Sequence, residues 1–211
     1  MNSSTAGLAE LTATLRRAAR LPGLLVYIAP ELGDNAYAGS RPCGPAPLVG
    51  IGADLLDDSR SAALHGAVAH EIAHHALGHV TSLVVPALER VAAWATVGAM
   101  LATIVPAPRW VPLVLVAVAA VAYVTAAWRR RATEYAADAH AVALLDAAGL
   151  PGAAIVAAML TEDFATEPRW YARGGWLIGS HPLTRSRLRR ITSLDQLTPQ
   201  FTAPGFAGGA R

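Results

Sequence analysis

The chain predicts a mainly α-helical fold with a small β-sheet, an α+β body into which a hydrophobic helical hairpin is inserted. Three observations carry this expectation. An Ala- and Leu-rich helical run surrounds His70-Glu71-Ile72-Ala73-His74. Two apolar blocks lie between residues 83 and 128, joined by Pro106-Ala107-Pro108-Arg109-Trp110. Two short β-prone runs, Leu24-Leu25-Val26-Tyr27-Ile28 and Leu48-Val49-Gly50-Ile51-Gly52, are bounded by Pro and Gly. The 211 residues are 54% hydrophobic and 15% charged, against about 25% charged in an ordinary soluble domain. That balance suits one modest core plus membrane segments. The expected organisation is a first part of the body with the sheet and the His70–His74 helix (1–82), the hairpin (83–128), the rest of the body (129–197) and a Pro-, Gly- and Ala-rich tail that frays (198–211).

Taken in order, residues 4–20 read as an amphipathic helix packing Leu8, Leu11 and Leu15 on the core. Glu10, Arg16, Arg17 and Arg20 argue against a secretory signal. The two β-prone runs and the Asn35–Ala38 stretch form the sheet, and an edge strand there can hold an extended peptide by main-chain hydrogen bonds. Asp57, Asp58 and Ser59 are N-cap candidates for a helix running to about Val80. This helix is apolar almost all round, as a central buried helix should be. In the hairpin, Val111–Trp128 carries no charge and approaches the ~20 residues that cross a bilayer. Val91–Val105 is shorter, and extending it back to Leu83 includes Glu89 and Arg90, which then sit at headgroup level. Trp110 and Trp128 lie at the span ends as interface aromatics. The competing reading is a pair of buried helices in a soluble core. A further helix from Ala132 to Ala148 ends before Gly149, another covers Ala153–Phe164, Arg169–Gly179 reads as a mobile loop near the cleft or equally as an ordinary irregular connection, and Thr184–Ile191 is a basic helix.

Histidines four apart on a helix project from one face, one turn apart, and grip a single metal ion. Glu71 beside them is placed to take a proton from a water activated there, the pattern of a zinc-dependent peptidase. His75 points about 100° away from His74 and reads as a polar group of the helix surface or core. His79 supports the site from outside the coordination sphere, and His65 is structural. Glu134 and Asp138 lie one turn apart on the 132–148 helix. One carboxylate can bind zinc while the other orients a ligand histidine. On spacing alone a solvated acidic pair is the simpler reading, and His140 is a rival ligand facing another side. The pairing with the upstream histidines favours Glu134.

The ordered set His70–His75, a hydrophobic hairpin, Glu134-Tyr135-Ala136-Ala137-Asp138 and Ser180-His181-Pro182-Leu183-Thr184-Arg185-Ser186-Arg187-Leu188 resembles the HtpX-like, Oma-like and CAAX-prenyl-protease-like membrane metallopeptidases, a gluzincin family. Asp34-Asn35-Ala36-Tyr37-Ala38-Gly39 is similar to that family's cleft-side strand. The resemblance implies a zincin-like (minigluzincin) core and one Zn²⁺ per chain held by His70, His74 and Glu134. It implies Glu71 as general base, Asp138 steadying a ligand histidine, and His181 near the cleft stabilising the oxyanion. Arg187 takes a structural or ion-pair role, and Asn35, Ala36, Tyr37 and Ala38 lie along the substrate. Leu188 replaces the usual Ile, and no pair of membrane helices precedes the zinc helix as it does in HtpX-like members.

The expected activity is that of a zinc metalloendopeptidase in the cell membrane. Its partners are a protein or peptide substrate, membrane proteins among them, and the lipid bilayer. Arg129-Arg130-Arg131 after the second block places the catalytic part in the cytoplasm by the positive-inside rule, with Arg109 as the one contrary charge. The alternatives are a catalytically inactive zinc-binding membrane scaffold, which has no need of Glu71, and a zinc hydrolase of non-protein substrates. The formal charge is +2, every one of the 17 basic residues is Arg, and no basic stripe with interleaved aromatics occurs, so nucleic acid is not an expected partner. The single Cys43 excludes an internal disulfide and a cysteine-based zinc knuckle.

Overall fold

The computed structural model describes residues 3–40, 46–172 and 182–197. Helix α1 (Ser3–Ala18) leads into strands β1 (Leu25–Ile28), β2 (Ala36–Ser40) and β3 (Pro47–Ile51). Helices α2 (Ser61–Ala76), α3 (Val84–Ile104), α4 (Trp110–Ala147), α5 (Gly152–Thr166), α6 (Arg169–Ala172) and α7 (Thr184–Leu197) follow. The architecture is mainly α with one small sheet, as the sequence predicts. β3 is central, parallel to β1 and antiparallel to β2. The outer edge of β2 pairs with no other strand among the described residues.

α2 is the axis of the body. Its Leu64, Val68 and Ile72 meet Leu15 of α1, Val49 and Ile51 of β3, Leu145 of α4, Val156 and Leu160 of α5 and Ile191 of α7 in one buried cluster. The α1 stripe of Leu8, Leu11 and Leu15 enters that cluster. A short 3-10 turn capped by Asp57, whose carboxylate accepts from the Ser59 amide, feeds α2. Gly66 lets α5 come close, because a Cβ there would lie 2.7 Å from Met159 Cβ. That approach is one turn before His70 and holds the helix face where the histidines project.

The hairpin stands apart from this core. α3 and α4 are long and apolar enough to cross a membrane, and 11% of the apolar window of each is buried. Val91, Trp94, Val97, Leu101, Leu113, Val121 and Val124 face outward. The seam between the helices is made of small residues instead: Ala95 and Ala99 of α3, and Ala122 and Ala126 of α4. Small side chains at four-residue spacing let two helix backbones approach, the packing mode of helices in lipid. A soluble core buries its large apolar side chains, so this arrangement, with the large ones outward, fits a candidate membrane hairpin. Pro86 and Pro112 fall in the first turns of α3 and α4, where amides lack helical acceptors and proline costs nothing.

α4 differs from the sequence expectation in being one unbroken helix of 38 residues, about 57 Å long. The expected span and the expected 132–148 helix are its two halves, and the boundary after residue 128 falls inside it. The physical reason is visible in the chain: no Gly or Pro occurs between Leu113 and Ala148. Gly149, with φ +77°, is the first residue that can end it. Trp110 and Trp128 lie about 27 Å apart along this helix, close to the thickness of a hydrocarbon core.

Candidate metal centre

α2 brings His70 and His74 to one face, and α4 lays Glu134 over them. Their ligating atoms lie within 4.8 Å of one another, the only such group of three among the described residues. His70 Nε2 and His74 Nε2 are 3.1 Å apart. Glu134 Oε2 lies 3.5 Å from His70 Nε2, and its Oε1 lies 3.7 Å from His74 Nε2. Zn–N bonds of about 2.05 Å in a tetrahedron set neighbouring donors roughly 3.3 Å apart, so these three residues fit such an ion.

Charge in the site points the same way. Burial alone would lower the His70 pKa, but hydrogen bonds to Asp138 and Glu134 outweigh it and raise the value to about 9. Burial and then the neighbouring His70 push His74 down to about 4. Two ring nitrogens and a carboxylate converge at one point. A cation at that point satisfies all three at once.

Each donor is held from behind. Asp138 Oδ1 is 2.9 Å from His70 Nδ1. The same carboxylate takes a two-pronged contact from Arg187, Nε to Oδ2 at 2.8 Å and Nη2 to Oδ1 at 2.6 Å. Asp138 and Arg187 are both buried. Burial would raise the Asp138 pKa, but Arg187 and His70 outweigh that and hold it below the ordinary carboxylate range. Arg187 Nη1 also lies 3.7 Å from Glu134 Oε2. α7, which carries Arg187, is fastened to α4 by Tyr135, whose hydroxyl is 2.8 Å from Ser186 Oγ and whose ring underlies Arg190. His75 turns away from the site and contacts the Leu48 carbonyl of β3 at 2.9 Å, tying α2 to the sheet. His79 Nδ1 lies 3.1 Å from His74 Nδ1.

A cleft of about 630 Å³ opens on His70 and Glu134. Glu71, Asn35 and Ala36 line it. Ala38 and Tyr37 are not among the lining residues, and Tyr37 instead meets Tyr27 across the sheet through a hydroxyl–hydroxyl hydrogen bond. His181 lies outside the described residues, as do Cys43, residues 173–179 of the expected cleft-side loop and the 198–211 tail.

The model of peptidase family M48 matches residues 3–195. The chain belongs to peptidase family M48. No curated protein and no solved structure matches it. M48 peptidases are metal-dependent, and this M48 member carries a donor set that fits an ion. Sequence reasoning missed one wall of its cleft: Met159, Glu162 and Asp163 of α5, with Arg60 paired to Glu162. No motif announces that wall, since its residues come together only through the Gly66 approach of α5 to α2.

Proposed function

We propose that this chain is a zinc-dependent, membrane-embedded endopeptidase with one Zn²⁺ held by His70, His74 and Glu134. The observation that carries the reading is the convergence of two α2 imidazoles and an α4 carboxylate beside a cleft that His70, Glu134 and Glu71 line. Residues 1–82 and 129–197 make up the peptidase body, 83–128 the membrane hairpin and 198–211 a tail. A bound zinc supplies Lewis acidity to a scissile carbonyl and to the water that attacks it.

The chain's own residues do the rest. Glu71 takes the proton of the attacking water and returns it to the leaving amine. Asp138 holds the His70 ring, and Arg187 holds Asp138 and balances the charge of the two carboxylates. The open edge of β2 beside Asn35 and Ala36 offers main-chain hydrogen bonds to an extended peptide, with Tyr37 and Ala38 continuing that strand. His181 is assigned the oxyanion role on the family resemblance.

Arg129, Arg130 and Arg131 set the body on the cytoplasmic face of the membrane, with the bilayer as a permanent partner and protein segments near its surface as substrates. Glu134 follows Trp128 by about 9 Å along one rigid helix, which keeps the cleft close to the headgroups. The test is Glu71→Gln in detergent-purified protein. Zinc content stays at one per chain, while turnover of a casein-like substrate falls roughly 10²–10⁴-fold, the usual worth of a general base. Retained turnover would refute the base assignment. Hydrolysis confined to small amides would favour a non-protein substrate.

A further inference from the structure

We infer that His79 is a positioning residue for the metal centre, fixing the ring of His74 as Asp138 fixes the ring of His70; the inference rests on the metal reading above. An uninterrupted helix would rotate residue 79 about 140° away from residue 74 and raise it roughly 7.5 Å. The chain does not continue that way. α2 stops at Ala76 and Gly78 adopts φ +69°, a left-handed conformation that glycine takes without strain. The Gly78 amide then donates to the His75 carbonyl at 3.0 Å and the His79 amide to the His74 carbonyl at 2.9 Å. These two bonds define a Schellman ending, with His74 three positions inside the cap and His79 two positions past it.

That motif ordinarily sets an apolar side chain of the outer residue against the inner one. Here both are histidines. Their rings meet at a centroid distance of 5.1 Å, with Nδ1 facing Nδ1 at 3.1 Å. His74 uses Nε2 toward the metal donors, so its Nδ1 carries the proton and donates to His79 Nδ1. The proton of His79 is then on its own Nε2. The outer nitrogen of each ligand histidine is thereby occupied, one by a carboxylate and one by an imidazole. Partners of this kind fix tautomer and ring orientation, and their loss typically costs 10–100-fold in metal affinity.

The experiment measures zinc affinity by chelator competition, and the visible spectrum of the Co²⁺-loaded protein, in full-length chain carrying His79→Leu, His79→Asn or His74→Ala. Leucine restores the apolar contact the motif usually has, so the metal-free protein melts as the wild type does. It offers no acceptor, so zinc binds roughly 10–100-fold more weakly and the Co²⁺ bands shift. Asparagine offers its Oδ1 and returns affinity to within about threefold, well inside the loss expected for an unpaired ligand. His79→Leu with wild-type affinity and spectrum overturns the inference, because packing alone then explains the residue. His79→Asn binding no better than His79→Leu also overturns it. Wild-type protein that binds neither ion, or that binds them equally well as His74→Ala, overturns the metal reading itself.

Discussion

On the membrane reading proposed above, the two halves of α4 are one helix in two solvents. In the hairpin half the large side chains Leu113, Val121 and Val124 face out and the alanines Ala122 and Ala126 face in. Past Arg131 the inner face changes character. Glu134 and Asp138 are buried there at 7% and 2% exposure, alongside Ala137, Ala141, Leu144 and Leu145. A buried carboxylate is costly unless it is paired, and here His70, Arg187 and a metal-fit donor set supply the pairing. Burial and polarity are therefore independent variables along one element. What decides the inner face is the partner: a second helix in lipid, or a charge network in the body.

The sharpest break of this comparison contrasts two ion pairs of α4. Arg187→Met strips Asp138 of a buried partner, which costs about 3–5 kcal/mol in thermal unfolding of the metal-free protein. Arg130 pairs with Glu89 of α3 at 2.6 Å, with the Glu89 side chain exposed and that of Arg130 part-buried. Arg130→Met therefore costs under about 1 kcal/mol. Equal losses would mean that both halves of α4 see the same medium.

Next in size is a charge placed on the outer face of each half. On the proposed membrane reading Val121→Arg faces lipid and costs about 2.5–3.5 kcal/mol of membrane insertion, read from the glycosylation or fractionation of an insertion reporter. Ala139→Arg, on the exposed face of the body half, changes insertion and stability by under about 0.5 kcal/mol. A silent Val121→Arg would return the hairpin to an aqueous reading.

The smallest effect belongs to pH, and only the body half senses it. His70, raised to about 9, carries a proton at pH 7 that a metal must displace. His74, lowered to about 4, is already neutral there. Zinc affinity therefore rises about tenfold per pH unit from 7 toward 9, with close to one proton released per ion bound. Chelator competition at stepped pH reads the slope, and a flat profile would place the proton elsewhere.

Much of this was legible in the chain, for physical reasons. The His70–His74 spacing fixes a shared helix face whatever the rest of the fold does. The hairpin was legible from charge-free length. The continuity of α4 was readable but obscured, because Arg129-Arg130-Arg131 mark a change of composition, not a change of backbone. The α5 wall of the cleft was not legible, since Met159 and Glu162 acquire a role only through packing against α2. A supporting place for His79 was legible, but the way it reaches His74 was not, since that depends on one left-handed residue at Gly78 and runs against helical periodicity.

The insertion of the hairpin between the donors also sets an order of events during synthesis. The ribosome releases two nitrogens first and the matching oxygen only after the greasy detour, so a chain halted early owns an incomplete coordination sphere. The pairing of α3 with α4 carries the chain back so that residue 134 returns over the imidazoles, and it shortens the loop that closure would otherwise have to order. On the zinc reading proposed above, a polypeptide cut short before residue 134 lacks its third donor and therefore its cutting power.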